Sequence, residues 1–179
     1  MNRILIIALS LLAGEAMMSQ KMMTRTGEIK FDASMPDLVE IAATNTGASC
    51  IFDESTGEFV ALVLIKSFKF KSPLMEEHFN ENYINSDTYP KATFKGKIEN
   101  FDATALTATA KEYTIKGKLE LHGKTNEVTS IAKIRKTEGG IEIITNFSVK
   151  SDDYAIEIPS VVKSKVSNKV KVKAEFIVK

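Results

Sequence analysis

From residue 22 onward the chain alternates. Near its end Val170, Val172, Ala174, Phe176 and Val178 are apolar, and Lys169, Lys171, Lys173 and Glu175 stand between them. Successive side chains of a strand point to opposite faces, so such a run makes one apolar face and one wet face. Ile141, Ile143, Thr145, Phe147 and Val149 repeat the pattern. So do Tyr113, Ile115, Gly117, Leu119 and Leu121 against Thr114, Lys116, Lys118 and Glu120, and Ala92, Phe94, Gly96 and Ile98 against Thr93, Lys95 and Lys97. A helix needs a period of about 3.6 and cannot use this one.

Turn residues separate the runs. Gly139-Gly140 offers positive φ between two of them. Ser55-Thr56-Gly57, Glu99-Asn100-Phe101-Asp102 and His122-Gly123-Lys124-Thr125 break others. Strands are predicted at roughly 22–32, 41–54, 58–70, 91–99, 106–121, 127–137, 140–149 and 168–178. Their connections are mostly short, which favours antiparallel neighbours. Ser72 before Pro73 reads as an N-cap with proline at the first helical position. Leu74, Met75, His78 and Phe79 follow at helical spacing, so one short helix is expected at about 73–83, with a weaker single turn over 36–43. No repeat or linker divides the chain, and residues 22–179 are expected to be one all-β domain. Eight antiparallel strands with one wet face each can form a sandwich or a closed barrel, and closure removes exposed edges.

Chemistry-bearing residues are scarce. Cys50 is the single cysteine, which excludes an internal disulfide and a cysteine-rich metal site. His78 and His122 are the two histidines, too few for an ordinary zinc site without carboxylates such as Glu76, Glu77 or Asp87 converging on them. Each histidine is read as held by a backbone carbonyl, His78 thereby locking the helix to the barrel. No nucleophile elbow, phosphate loop or dinucleotide fingerprint occurs. A formal net charge of +1 argues against broad nucleic-acid binding.

The first residues read as an address. Arg3 precedes an apolar run from Ile4 to Ala13, and Gly14 and Ala16 suit the small positions of a cleavage site. This is the pattern of a secretory signal peptide over residues 1–16, with cleavage after Ser19 as the alternative. A periplasmic or secreted location is expected. Beyond the leader, charge is unevenly spread: residues 17–110 carry 9 basic and 13 acidic side chains, and residues 111–179 carry 14 and 9. The basic half could orient the protein at an anionic membrane surface, or its lysines simply decorate outer strand faces.

Three stretches resemble a known family. Met75, Glu77, His78, Phe79, Tyr89, Pro90 and Phe94 are similar to the central motif of the YceI-like proteins. Leu119, Leu121, His122, Gly123 and Thr125 are similar to its strand ending in His-Gly-x-Thr, and Asp153-Tyr154-Ala155-Ile156 to its Asp-Phe-Gly-Ile. The resemblance spans roughly residues 24–179. An Asp followed shortly by His-Ser, usual in that family, is replaced here by Lys30-Phe31-Asp32-Ala33-Ser34. Asn126-Glu127 stands for its Lys-Pro, and Ala155 for its Gly. The resemblance implies an eight-stranded, lipocalin-like antiparallel β-barrel that holds an isoprenoid-chain lipid, such as a quinone or a polyprenyl derivative.

These readings give an expectation of function. The chain is an exported lipid-binding protein, with no catalytic residues, no metal and no cofactor beyond such a lipid as ligand. Strand parity selects Val60, Leu62, Leu64, Phe68, Phe70, Phe94, Tyr113, Ile115, Phe147 and Phe176 as inward, ligand-contacting positions. The run Phe59–Phe70 is apolar on both parities, so it is expected to be covered on both sides. Two alternatives stay open. One is a filled barrel serving as an envelope interaction or structural module, and the other is an enzyme that uses His78 and His122. Peripheral membrane contact belongs to the first reading, and oligomeric state is open in all of them.

Overall fold

The computed structural model describes residues 21–179, so the leader expected over residues 1–16 lies outside the described residues. Nine strands occur among them: β1 (Lys21–Ser34), β2 (Ala42–Asp53), β3 (Glu58–Leu64), β4 (Lys69–Phe70), β5 (Lys91–Ile98), β6 (Lys111–Leu121), β7 (Lys124–Thr137), β8 (Gly140–Lys150) and β9 (Val166–Val178). One sheet runs β1-β9-β8-β7-β6-β5-β3-β2-β4, and β1 also pairs with β2. That second pairing closes eight antiparallel strands into a barrel, with the two-residue β4 outside the circuit. The chain is therefore an all-β barrel, one of the two arrangements the alternation allowed, and the sandwich is excluded.

Local chemistry makes the turns. The Asp53 carboxylate accepts from the Ser55 and Thr56 amides and the Ser55 hydroxyl, at 2.9, 3.2 and 2.6 Å. Gly57, at φ +75°, then starts β3. Between β6 and β7 the two-residue loop His122-Gly123 has φ of +50° and +70°, the geometry of a tight hairpin whose twist suits the strands. β7 therefore begins at Lys124 and not near 127. In the next hairpin the positive φ falls on Gly140, where a Cβ would lie 2.0 Å from the Val178 carbonyl oxygen.

Some expected elements are shorter. The strand expected over 58–70 stops at Leu64. The buried Asn45 amide donates to the Leu64 carbonyl at 3.1 Å, and the Ile65 amide donates to the Pro90 carbonyl at 2.9 Å. These bonds divert the chain into a 3-10 turn, Ile65–Ser67, before β4 pairs with Ala43 and Thr44. The strand expected from 106 starts at Lys111, because Leu106 turns inward and is buried after a short turn capped by Asp102. The helix α1 spans Pro73–His78 and widens into a π turn over Phe79–Tyr83. Ser72 makes no side-chain cap; its carbonyl accepts the Glu76 amide instead. The turn suggested over 36–43 is not helical.

One end of the barrel is packed solid. Phe52, Ile98, Ile134, Ile143 and Val178 are completely buried there, and Phe52 meets Phe101 edge-on at 4.9 Å. The other end, reached by the C-terminal part of β1 and the first residues of β9, is not filled.

Candidate ligand cavity

That unfilled end holds a cavity of about 500 Å³. Its size lies within the range of about 300–1,000 Å³ typical of small-molecule sites. Eight of the chain's ten phenylalanines line it; Phe52 and Phe101, in the packed end, are the other two. Phe59 forms the floor with Phe94 and Phe176, at ring distances of 6.0 and 5.6 Å. Higher up Phe31 is surrounded by Phe68, Phe79 and Phe70, at 5.2, 5.2 and 5.7 Å. Phe79 comes from the π turn, so α1 and its extension roof the cavity with aromatic side chains. Offset and edge-on contacts of this kind are favourable beyond the area they bury.

Glycines shape the wall. Gly96 and Gly117 are paired across β5 and β6. A Cβ at either would come within 2.8 Å of the Phe94 ring and closer still to a neighbouring strand's carbonyl oxygen. The Phe94 ring therefore lies flat along the wall, which keeps the space beside it open.

The interior is chemically quiet. Among the described residues, Lys165 is the one permanently charged side chain in the lining. The Ser130 and Thr145 hydroxyls are 2.7 Å apart, and Thr145 also donates to the Ile131 carbonyl at 3.1 Å, so they satisfy each other and the backbone. Among the described residues no group of three or more His, Cys, Asp or Glu gathers where it would hold a metal ion. Cys50 is buried in the wall, and desolvation pushes its thiol far above the ordinary range. A lining that is mainly apolar sheds water readily.

The placement of the expected contact residues is mixed. Phe68, Phe70, Phe94, Ile115, Phe147 and Phe176 line the cavity. The lining also includes Leu62, which stands half-buried on the outward parity of β3. Val60 and Leu64 do not reach it; they are 36% and 53% exposed on the outer face. Register explains the inversion, because directly opposed residues share a face. Phe59 opposes the buried Phe52, and Ala61 opposes the buried Cys50, so the odd positions of β3 turn inward. Consequently β3 is not covered on both sides. Tyr113 also misses the cavity and packs on Phe101, at 5.5 Å, in the filled end.

Sequence parity missed Phe31, Ala61, Val63, Phe79 and Val172 among the lining residues. The alternation of β9 carried a signal for Val172, and the helical spacing for Phe79.

The histidines part company. His122 Nδ1 lies 2.9 Å from the Tyr154 carbonyl oxygen, as a backbone-held histidine should. His78 is exposed at the cavity mouth and has no hydrogen-bond partner among the described residues, so it does not lock the helix. Lys69 and Glu76 do that, paired at 2.6 Å, while the Glu76 carboxylate also accepts the Phe70 amide at 3.3 Å.

The three family-like stretches meet around this space. Tyr89 stacks edge-on against His122 at 4.4 Å, and His122 holds Tyr154. Met75, His78, Phe94, Leu119, Leu121 and Ile156 from the same stretches line the cavity. The family model of the YceI-like domain matches residues 15–178. The chain belongs to the YceI-like family. Comparison with curated proteins returns no significant match.

Among solved structures, a polyisoprenoid-binding domain from Saccharophagus degradans, implicated in plant cell wall breakdown, is similar at a TM-score of 0.71 and 18% identity, covering 87% of this chain and 95% of that one. Burkholderia cenocepacia BcnA is similar at 0.68 and 18% identity, covering 83% and 94%. The Campylobacter jejuni YceI protein is similar at 0.57 and 17% identity, covering 73% and 78%. At these identities the likeness is one of fold. The YceI-like barrel is common to them.

Proposed function

We propose that this YceI-like chain is an exported carrier that holds one apolar ligand, an isoprenoid-chain lipid such as a quinone or polyprenyl derivative, in its phenylalanine-lined cavity. The observation that carries the reading is an open, apolar space of about 500 Å³ inside an otherwise solid barrel. Each methylene removed from water contributes about 0.8 kcal/mol, so a chain of ten or so carbons binds tightly even after ordering costs. Two further observations support it: membership of the YceI-like family, and a structural relative described as polyisoprenoid-binding. In this reading the ligand is held, not transformed, by a lining that is mainly apolar. Export rests on the leader pattern of residues 1–16.

The test is native mass spectrometry of protein purified from the compartment it occupies, followed by organic extraction. A stoichiometric lipid carrying an isoprenoid chain is the expected result. Protein that stays ligand-free after incubation with quinones and long-chain polyprenyl lipids overturns the reading in favour of an envelope module without a ligand.

A further inference from the structure

A ligand that shuns water must enter the cavity from somewhere, and the mouth shows how. The chain between β8 and β9 makes a 3-10 turn, Ser160–Val162, at the open end. Val162 and Lys165 line the cavity, and Val161 between the same turns is 82% exposed. No large apolar side chain among the described residues is more exposed. From Ile158 to Ala174 the chain carries five lysines and no acidic residue. Lys163 and Lys165 follow the turn and form no ion pair among the described residues, whereas the lysines around α1 are matched: Lys66 with Asp87, Lys69 with Glu76 and Lys71 with Glu40. Val39 lines the mouth from the loop between β1 and β2 and is 62% exposed, and Leu74 beside the lining residue Met75 is 59% exposed.

We infer that the cavity mouth is a membrane-docking surface, with the turn at Val161 as its tip and Lys163 and Lys165 as its anchors to anionic phospholipid headgroups. The inference rests on the carrier reading, since a cavity for lipids gives the bilayer its reason to be there. An exposed valine alone means little. Here it sits beside Lys163 and Lys165, which form no ion pair among the described residues, and the next residue, Val162, lines an apolar cavity, so a bilayer offers matching partners to both kinds of group. The anionic headgroups meet the lysines, each favoured by about 1 kcal/mol near such a surface. The acyl region meets Val161 and Val39, and the lipid passes from one apolar medium to another without crossing water.

The experiment is co-flotation of the chain with vesicles of phosphatidylcholine alone and of phosphatidylcholine mixed with phosphatidylglycerol. It runs beside uptake of a soluble, short-chain fluorescent isoprenoid by the same samples. Wild type is expected to float with the anionic vesicles and to come off with added salt. Lys163→Glu should weaken that binding by about tenfold, and Val161→Asp should weaken it severalfold. All variants keep residues 4–13, so that apolar run contributes equally to each. Uptake of the soluble probe should stay unchanged, because neither Val161 nor Lys163 lines the cavity. Variants that float like wild type, or a wild type that binds neither vesicle and instead needs a protein partner, would overturn the surface. Flotation that obeys the substitutions without any probe uptake keeps the surface and overturns the carrier reading, so the two fail separately.

Discussion

His122 Nδ1 approaches the carbonyl oxygen of Tyr154 to 2.9 Å, joining the β6–β7 hairpin to the turn that follows β8, 32 residues on. A carbonyl can only accept, so Nδ1 carries the proton and the tautomer is fixed. The same His122 adopts φ +50°, a conformation that Asn tolerates and most residues resist. His122→Ala is therefore expected to lose the hydrogen bond, the Tyr89 contact and the backbone fit together, about 2 kcal/mol in all. His122→Asn should lose distinctly less. Urea denaturation of both variants decides it, and equal losses would show that neither backbone conformation nor a donor matters there.

Ala155 lies at the far side of that link with φ +53°. It closes the short turn after Tyr154, where its amide bonds the Asp152 carbonyl at 3.1 Å. A left-handed alanine costs about 1–2 kcal/mol, and glycine avoids most of this while giving up some unfolded-state entropy. Ala155→Gly is expected to stabilise the protein by about 0.5–1 kcal/mol, read as a higher denaturation midpoint. A lower midpoint would show that the alanine methyl makes packing worth more than the strain.

Much of this architecture was legible in the chain. Period-two alternation located β5, β6, β8 and β9, because each has one wet face. Turn residues marked the hairpins for the same reason: positive φ selects them. The inner face of β3 was not legible. Both of its parities are apolar, and the choice was made by neighbours, through Phe52 opposite Phe59 and Cys50 opposite Ala61. The break at Leu64 was equally hidden, since it depends on an Asn45 side chain 19 residues away. Phe31 illustrates a third limit. Its place at the centre of the aromatic cluster follows from barrel closure, which brings β1 beside β2 and beneath α1.

That parity gives a paired test of the cavity. Val63 is buried and lines it, while its neighbour Leu64 is 53% exposed on the outer wall. Val63→Trp should push a ring into the free volume and weaken uptake of an isoprenoid probe severalfold. Leu64→Arg should leave uptake unchanged. Circular dichroism confirms that both variants fold. Loss of uptake in Leu64→Arg alone would mean that the outer wall, and not the cavity, takes the lipid.

The outer wall supplies the pH dependence. Glu142 on β8 is nearly buried and accepts from Arg135 Nε and Nη2 at 2.5 and 2.9 Å. Hydrogen bonds from Arg135 hold its carboxyl below the usual range, outweighing the opposing effect of burial, with the charges of Arg135 and Lys173 adding to them. A depressed folded-state pKa means the unfolded chain takes up the proton first. The stabilisation is thus complete above the ordinary carboxylate value of about 4.3 and is lost as pH falls through the depressed one. In Glu142→Gln the charge is absent at every pH. The wild type should exceed this variant in thermal midpoint near neutrality, and the gap should close on acidification below about pH 4. Arg135→Met should lower the midpoint near neutrality by more than Glu142→Gln does, because it leaves a buried carboxylate without its donors. A gap between wild type and Glu142→Gln that stays constant down to acid pH would mean the pair contributes through shape alone.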